Sequence, residues 1–497
     1  MEFILLFSVA VIATCGLVYE LVAGALASYL LGDSITQFSL IIGIYLFSMG
    51  IGSWFSKYIT KNVMMKFIQI EFIVGLVGGL SATVLFFSFE FISHFRLLLF
   101  SFVTMTGILV GLEIPLLMRI LKDRYEFSDL VSKVFTVDYI GALFASILFP
   151  LVLAPYLGLV RTSLLFGIFN VAVGLWTLSL IKEEMPWRNA LRGTGIGAAL
   201  VLVITFAFSN KLTQFAETLN YKDQIVFTDK SPYQKIVLTQ GDHDLRLFLN
   251  GNLQFSSVDE YRYHEALVHP AMALQNNPKK ILVLGGGDGL AVREILKFPS
   301  VESVTLVDLD PLMTKIFSTN DRLVKLNERA LKNEKVKVVN ADAFVWLRET
   351  KDVFDVVIID FPDPSNYSLG KLYTTRFFTL LGKVMKDETK AVIQSTSPLY
   401  ARKSFWCVGN TLKHVGFKIN PFHVYVPSFG EWGYFLFSKN HMDLDFKPLQ
   451  DAKFLTKAVW DSMFVFPPDM EYTETEVNRL NNQILVRYFE DEWSRYN

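Results

Sequence analysis

Residues 280–290 read Lys-Ile-Leu-Val-Leu-Gly-Gly-Gly-Asp-Gly-Leu, and this stretch decides the fold of the second half of the chain. Its four consecutive apolar residues predict a buried strand, and four glycines follow within five positions. Glycine permits tight turns and a close approach of the backbone to a ligand. Open α/β sheets bind ligands at the carboxyl ends of their strands. We therefore expect Gly285 and Gly287 to contact a ligand, before a helix that begins near Leu290.

Strand-like segments recur after this turn and alternate with helical ones. The predicted strands cover 281–284, 304–307, 336–339, 353–359 and 391–395. Such alternation is typical of βαβ units and predicts a mainly parallel, Rossmann-like sheet. Upstream, 234–240 and 245–249 predict strands, and Asn250-Gly251 is a strong signal for a hairpin turn. The second half therefore combines a small β subdomain with an α/β domain.

Two acidic residues follow later strands at positions that suit a nucleoside. Asp308 ends the second strand, 23 residues after Gly285, close to the spacing at which an acid binds ribose hydroxyls. Asp342 follows the third strand and is expected to accept a hydrogen bond from an adenine amine. No lysine follows the glycines as it does in a P-loop, which disfavours ATP.

The charge of the turn narrows the ligand further. Asp288 lies where a pyrophosphate would need only backbone donors, and a carboxylate there repels phosphate and attracts a cation. An S-adenosyl sulfonium compound is such a cationic nucleoside. The fourth strand ends in Asp360-Phe-Pro-Asp363-Pro, which places two carboxylates in a loop stiffened by two prolines. This pair predicts a negative site for a polycation beside the cofactor.

The first part of the chain has a different composition. Only 24 of the first 210 residues are charged, against 71 of the remaining 287, in a chain that is 52% hydrophobic overall. A helix needs about 20 apolar residues to cross a bilayer. Seven runs reach or approach this length, at about 3–31, 35–56, 67–89, 94–121, 135–157, 161–181 and 192–209. We therefore expect a multi-pass helical domain in the cell membrane.

The charges of this domain raise two further expectations. Glu20, Glu71, Glu113 and Asp138 fall inside the apolar runs and are expected to face the bundle interior, an interface or water. The loops near 57–66, 122–133 and 182–192 are basic, which favours a cytoplasmic position for them. With seven spans the second half would then lie on the opposite side. An intracellular nucleotide cofactor instead requires it in the cytoplasm, so the two arguments conflict.

Several classes of site are excluded by composition. The net charge is −1, which gives no reason to expect nucleic-acid binding. Two cysteines cannot build a disulfide framework or a cysteine-rich zinc site, and the seven histidines form no metal-ligand spacing. We therefore expect no metal.

Taken together, the motifs resemble the spermidine synthase family of polyamine aminopropyltransferases. The resemblance covers about 233–439 and rests on motifs that occur in order. They are Tyr233-Gln234, 249–254, Asp259-Glu260 to Tyr263-His264-Glu265, the GGGDG turn with Arg293-Glu294, Asp342, 360–364 and Leu372-Tyr373. The preceding spans make the chain similar to the membrane-fused branch of that family. The resemblance implies a class I methyltransferase-like fold and transfer of an aminopropyl group from decarboxylated S-adenosylmethionine to an amine, usually putrescine. It also implies at least a dimer.

The resemblance assigns roles to single residues. Asp360 would accept the proton of the attacking amine, Asp363 would hold the far amine, and Tyr263 and Tyr425 would orient the substrate. Asp288 would bind the aminopropyl ammonium and repel the carboxylate of the undecarboxylated cofactor. The remaining matches lie at or beside the substrates and are Gln234, Gln254 and His264.

The chain departs from the family pattern at three places. Asp308 stands where the family usually has glutamate, and Phe361 and 365–367 replace its usual loop residues. Cadaverine, agmatine or a longer polyamine therefore stay open as acceptors besides putrescine. Two other functions stay open, an S-adenosylmethionine-dependent methyltransferase and a membrane polyamine transporter or sensor that only binds. The expected domains are 1–209 in the membrane, 210–265 as β subdomain, 266–445 as catalytic α/β domain and 446–497 as a helical extension.

Overall fold

The structure is a computed structural model that describes residues 2–31, 34–89, 91–92, 94–122, 126–180, 187–219 and 221–496. Parts of two predicted basic loops, 123–125 and 181–186, lie outside these residues. The chain forms two compact units, Met1–Lys222 and Asp223–Asn497. The predicted boundary at 209/210 therefore falls inside the last helix of the first unit, which continues to Leu219.

The long secondary-structure elements described in the first unit are all helices. Its helices are α1 (Glu2–Leu31), α2 (Ser34–Phe55), α3 (Val63–Ser88), α4 (Phe95–Leu121), α5 (Phe127–Leu148), a π-helical segment (Phe149–Leu157), α6 (Gly158–Leu180) and α7 (Arg188–Leu219). Six continuous helical stretches among the described residues are long and apolar enough to cross a membrane. The sequence predicted seven spans, and the difference lies in Phe127–Ser179, a single stretch that contains two of them.

This long stretch folds back on itself. Thr14 in α1 contacts the carbonyl oxygen of Gly141 at 3.2 Å, and the next residue, Cys15, contacts that of Phe166 at 3.6 Å. A straight helix would separate Gly141 from Phe166 by about 37 Å, so they could not both reach one turn of α1. The chain reverses at Gly158, whose φ of +76° favours glycine. The stretch is thus a helical hairpin. This accounts for the difference between the seven predicted spans and the six continuous helical stretches.

Some glycines of this unit lie at helix contacts, and two of its acidic residues are buried between helices. Gly75 in α3 and Gly167 in α6 lie so close that a side chain on either would meet the other helix's backbone. Gly43 and Gly50, by contrast, face open space. Glu71 and Glu113 are buried inside the bundle, and Asn170 donates a hydrogen bond of 2.9 Å to Glu71. The expectation that these acids face inward is therefore confirmed for this pair.

The second unit begins with a four-stranded antiparallel sheet in the order β1-β2-β3-β4. The strands are β1 (Gln224–Lys230), β2 (Lys235–Gln240), β3 (Leu245–Leu249) and β4 (Asn252–Ser256). Asn250 and Gly251 both have positive φ angles, of 51° and 85°, as a type I′ hairpin turn requires. The predicted hairpin is confirmed, whereas β1 was not predicted.

A seven-stranded sheet forms the centre of this unit, in the order β10-β11-β9-β8-β5-β6-β7. Its strands are β5 (Lys280–Gly285), β6 (Ser303–Asp308), β7 (Val336–Asn340), β8 (Phe354–Asp360), β9 (Met385–Gln394), β10 (Lys418–Val426) and β11 (Gly430–Ser438). The five strands from β9 to β7 run parallel, and β11 and β10 add antiparallel neighbours. The predicted methyltransferase-like sheet is present.

Helices cover both faces of this sheet. They are α8 (Glu260–Leu274), α9 (Leu290–Leu296), α10 (Pro311–Thr319), α11 (Asp321–Leu326), α12 (Ala343–Glu349), α13 (Tyr367–Gly370), α14 (Thr375–Val384), α15 (Arg402–Val415), α16 (Lys457–Ser462) and α17 (Ile484–Trp493). The central strand β5 is buried on both sides, because Ile281 and Val283 enter one core while Leu282 and Leu284 enter the other. The segment 446–497 holds only two short helices among its described loops, so it is less helical than expected.

Candidate active site

The glycine turn lies where β5 meets its two parallel neighbours. Gly285 has a φ of +79°, and a Cβ atom there would collide with the carbonyl oxygen of Asp360 in β8. A Cβ atom on Gly287 would lie 2.7 Å from the carboxylate of Asp308 in β6. The two glycines therefore let the turn fit between two strand ends that both terminate in aspartate. This is the crevice at which open α/β sheets bind ligands.

Asp308 fixes the position of this turn. Its carboxylate accepts hydrogen bonds from the backbone N–H of Gly287 at 3.0 Å and from that of Asp310 at 2.8 Å. Burial raises the pKa of Asp308 to about 6, and the two backbone donors oppose that rise. Gln234 reaches the same corner, because its amide donates to Asp310 at 2.8 Å. The structure thus brings Gln234 next to the predicted ribose-binding acid.

Asp360 and Asp288 form the centre of the site with His264. Oxygen and nitrogen atoms of these three side chains all lie within 4.8 Å of one another. The two carboxylates suit an ammonium group. The hydroxyl of Tyr263 donates to Oδ1 of Asp360 at 2.6 Å. Burial, followed by the neighbouring charge of Asp288, raises the pKa of Asp360 to about 6.

Asp363 presents an unused acceptor. Its Oδ2 atom accepts a hydrogen bond of 3.2 Å from the hydroxyl of Thr396, whereas its Oδ1 atom is buried without a hydrogen-bond partner among the described residues. Burial raises the pKa of Asp363 to about 7, although Thr396 and Gln394 oppose the rise. A buried acceptor without a partner is costly. Such a group is therefore suited to receive a donor from a ligand.

A row of aromatic side chains begins at Tyr263, beside Asp360, and extends to Trp432. The ring of Tyr263 lies 6.1 Å from that of Phe429 and 5.7 Å from that of Tyr434, measured between ring centres. Phe429 contacts Trp432 at 5.2 Å, and the indole N–H of Trp432 donates to Gln394 at 3.2 Å. Aromatic faces suit both the methylene chain and the charge of an alkylammonium ion.

Two predicted site residues, Tyr425 and Gln254, do not join this cluster. Tyr425 lies on the edge strand β10 with 55% of its side chain exposed, and its carbonyl oxygen accepts a hydrogen bond from Arg262. Gln254 donates to the carbonyl oxygens of its own strand, at 3.2 Å and 3.4 Å. The expectation that Tyr425 orients the substrate therefore lacks support, because its neighbours Val424 and Val426 take the inward positions.

Asp342 is placed at the expected strand end but is already engaged. One of its oxygens caps helix α12 through the N–H of Phe344 at 2.8 Å, and the other contacts Lys371 at 2.6 Å. Burial opposes ionisation of this carboxyl, but Lys371 and the helix N–H groups outweigh it and lower the pKa of Asp342. A ligand at this strand end would therefore meet a carboxylate with a cation beside it.

Proteins of similar sequence match the chain over almost its whole length. Residues 260–448 match the family described as the spermine/spermidine synthase domain. A protein of Leptospira interrogans named "Polyamine aminopropyltransferase" is 54% identical over 495 residues, which are 100% of this chain and 99% of that protein. "Polyamine aminopropyltransferase 2" of Ralstonia nicotianae is 53% identical over 503 residues, which cover 99% and 98%.

A solved structure is similar to part of the chain. It is a crystal structure of spermidine synthase in complex with the transition-state analogue AdoDATO, 28% identical in sequence. The match covers 49% of this chain and 86% of that one, with a TM-score of 0.46.

Proposed function

The chain belongs to the spermidine synthase family of polyamine aminopropyltransferases, and we propose that its second unit transfers an aminopropyl group from decarboxylated S-adenosylmethionine to putrescine. Asp363 carries this proposal, because its Oδ1 atom is a buried carboxylate oxygen without a partner among the described residues. A diamine supplies a second ammonium group for this oxygen while its first nitrogen lies beside Asp360. A monoamine would leave the oxygen unpaired.

The reaction requires the removal of one proton. An alkylamine has a pKa near 10 and is charged at neutral pH, yet only its neutral form can attack carbon. Asp360 accepts this proton, and Tyr263 holds the carboxylate in position through its hydroxyl. The amine nitrogen then forms a bond to the aminopropyl carbon, the bond from that carbon to sulfur breaks, and its electron pair stays on the sulfur of methylthioadenosine. The products are spermidine and methylthioadenosine.

The cofactor side of the site uses the remaining acids. Asp288 binds the ammonium group of the donor, and its negative charge disfavours a donor that still carries a carboxylate. Asp308 and Gly287 lie together at the ends of β6 and β5 and receive the ribose. Asp342 at the end of β7 receives the adenine amine, with Gln234 close to the ribose corner through Asp310.

The pH dependence of the reaction tests this assignment. The pKa of Asp360 is about 6 and that of Asp363 is about 7, both raised, so each acid is ionised above its pKa and loses its charge as pH falls. We expect spermidine formation from putrescine to be lost progressively as pH falls through 7 and 6. The measurement is kcat/KM for putrescine between pH 5 and pH 8.5. A rate that stays constant down to pH 5 would contradict the roles of both acids.

For the first unit, we propose that it anchors the enzyme in the cell membrane with the second unit in the cytoplasm, where the cofactor is made. The charge of the basic loops argues for the opposite side, so the side must be measured. Cys15 and Cys407, the two native cysteines, are both buried. A Lys351→Cys variant adds one exposed thiol on the second unit. A membrane-impermeant maleimide should label it only after permeabilisation, whereas labelling of intact cells would place the unit outside.

A further inference from the structure

We propose that His264 is the resident cation of the amine site, and that binding of a substrate ammonium group expels its proton. Glu260 is the positioning residue that keeps His264 charged in the empty site. This inference rests on the proposed function, because it assigns Asp288 and Asp360 to substrate ammonium groups. It adds a role for a buried histidine and for the ion pair behind it.

The contacts of His264 fix one of its protons. Its Nδ1 atom lies 2.8 Å from the carboxylate of Glu260 and also 2.8 Å from the backbone carbonyl oxygen of Glu260. A carbonyl oxygen and a carboxylate can only accept, so Nδ1 must carry a hydrogen. The imidazole is therefore held from one side as a donor, and one of its ring nitrogens lies within 4.8 Å of carboxylate oxygens of Asp288 and Asp360.

Glu260 is itself held as a carboxylate. Arg293 in α9 forms two hydrogen bonds to it, of 2.8 Å and 2.9 Å, and all of these groups are buried. Burial opposes ionisation of Glu260, but His264 and Arg293 outweigh it and lower its pKa to about 2. The acceptor on Nδ1 therefore stays negative throughout the range in which the enzyme works.

Three acids face His264, whereas the positive charge of Arg293 in α9 is paired with Glu260. Glu260 lies on its own helix, Asp288 on the turn after β5 and Asp360 at the end of β8. Burial lowers the proton affinity of His264, yet these acids outweigh it and raise its pKa to about 9. In the empty site the imidazolium therefore balances part of the charge of Asp288 and Asp360.

Substrate binding changes this balance. An ammonium group placed against Asp288 or Asp360 is a second cation within a few ångströms of the imidazolium, in a buried site where charges interact strongly. The repulsion lowers the pKa of His264, and its proton passes to solvent. Binding of the cationic substrate and loss of the proton are thus linked. Bound substrate weakens the binding of the proton to His264, and a protonated His264 weakens the binding of the substrate.

Proton release on binding tests this inference in the full-length, detergent-solubilised enzyme. Calorimetric titration at pH 8 in two buffers of different ionisation enthalpy gives the number of protons released. This pH lies above the pKa of Asp360 and Asp363 and below that of His264. We expect about 0.5 to one proton released per molecule of decarboxylated S-adenosylmethionine. Methylthioadenosine, which has no ammonium group, should release almost none.

Variants assign the proton to His264. His264→Gln should bind the donor with its proton release lost, and Glu260→Gln should reduce the release at pH 8 because its histidine is no longer held charged. His414→Gln, at an exposed histidine on α15, is the matched control and should behave as the parent enzyme. If Glu260→Gln does not fold, comparing decarboxylated S-adenosylmethionine with methylthioadenosine in the wild-type enzyme still shows whether binding of an ammonium group releases a proton.

The outcomes separate the two proposals. Donor binding without proton release in the wild-type enzyme, or with equal release in His264→Gln, would overturn the role of His264 and leave the aminopropyltransferase assignment intact. A failure of the donor to bind at all would instead contradict the proposed function.

Discussion

Replacing Asp360 with asparagine is expected to lower kcat/KM for putrescine by about 10³-fold, within the range of general base catalysis. The asparagine keeps the shape of the side chain and can still accept from Tyr263, but it cannot take a proton from the amine. The measurement is initial-rate formation of methylthioadenosine at saturating donor, with donor affinity determined separately.

Asp355→Asn is the matched control for this variant. Asp355 lies in the same strand, at its opposite end, where it contacts Lys386 at 2.6 Å and the backbone N–H of Lys279 and Lys280. This variant removes one aspartate charge far from the site, so we expect less than a twofold change in kcat/KM. A loss below tenfold for Asp360→Asn would mean that another group accepts the proton.

Replacing Asp363 with asparagine is expected to raise KM for putrescine by about 10²-fold, the usual cost of removing one partner from a buried charge pair. The neutral side chain can still contact Thr396, so the loop should keep its shape, but Oδ1 no longer pairs with an ammonium group. The effect should be much smaller with butylamine, which has the same carbon chain and no second amine.

These two changes form a cycle that measures the contact itself. In the wild-type enzyme, butylamine should react about 10²-fold less efficiently than putrescine. In Asp363→Asn, the two amines should react with similar efficiency. Asp352→Asn, at an exposed aspartate in the loop before β8, serves as the control. An equal loss for both amines would show that Asp363 acts on the fold of the site rather than on the far amine.

The parts of the site that could be predicted are those that a short stretch of sequence determines. The glycine turn and Asp360 belong to this class, because a buried apolar strand must end at the sheet edge and parallel strands end together. Register then places Gly285 directly opposite Asp360, as the structure has it. Asp363 follows within three residues in a loop stiffened by proline, so it could not lie far away.

Other parts depend on packing between distant segments. Thr396 contacts Asp363, and Trp432 contacts Gln394. These contacts depend on the pairing of β9 with β11, which no local sequence pattern indicates. The resemblance assigned Tyr425 to the substrate, but its position in the alternation of β10 turns it toward solvent. The apolar residues Val424 and Val426 on either side of it already predict this outward position from the sequence.

The helical unit shows the same limit. Apolar length predicted the helices, since a long apolar run must satisfy its own backbone hydrogen bonds wherever water is excluded. Apolar length could not predict that α5 and α6 join without a loop. The chain reverses at Gly158 inside one continuous helical and apolar stretch, so no polar segment marks the reversal.

In the proposed reaction the acids of the site receive an aminopropyl donor and a diamine. This reaction is tested most directly by incubating the purified full-length enzyme with putrescine and either decarboxylated or intact S-adenosylmethionine, and by quantifying all products by mass spectrometry. We expect spermidine and methylthioadenosine in equal amounts from the decarboxylated donor and no product from the intact one. Methylated putrescine with S-adenosylhomocysteine from the intact donor would contradict it.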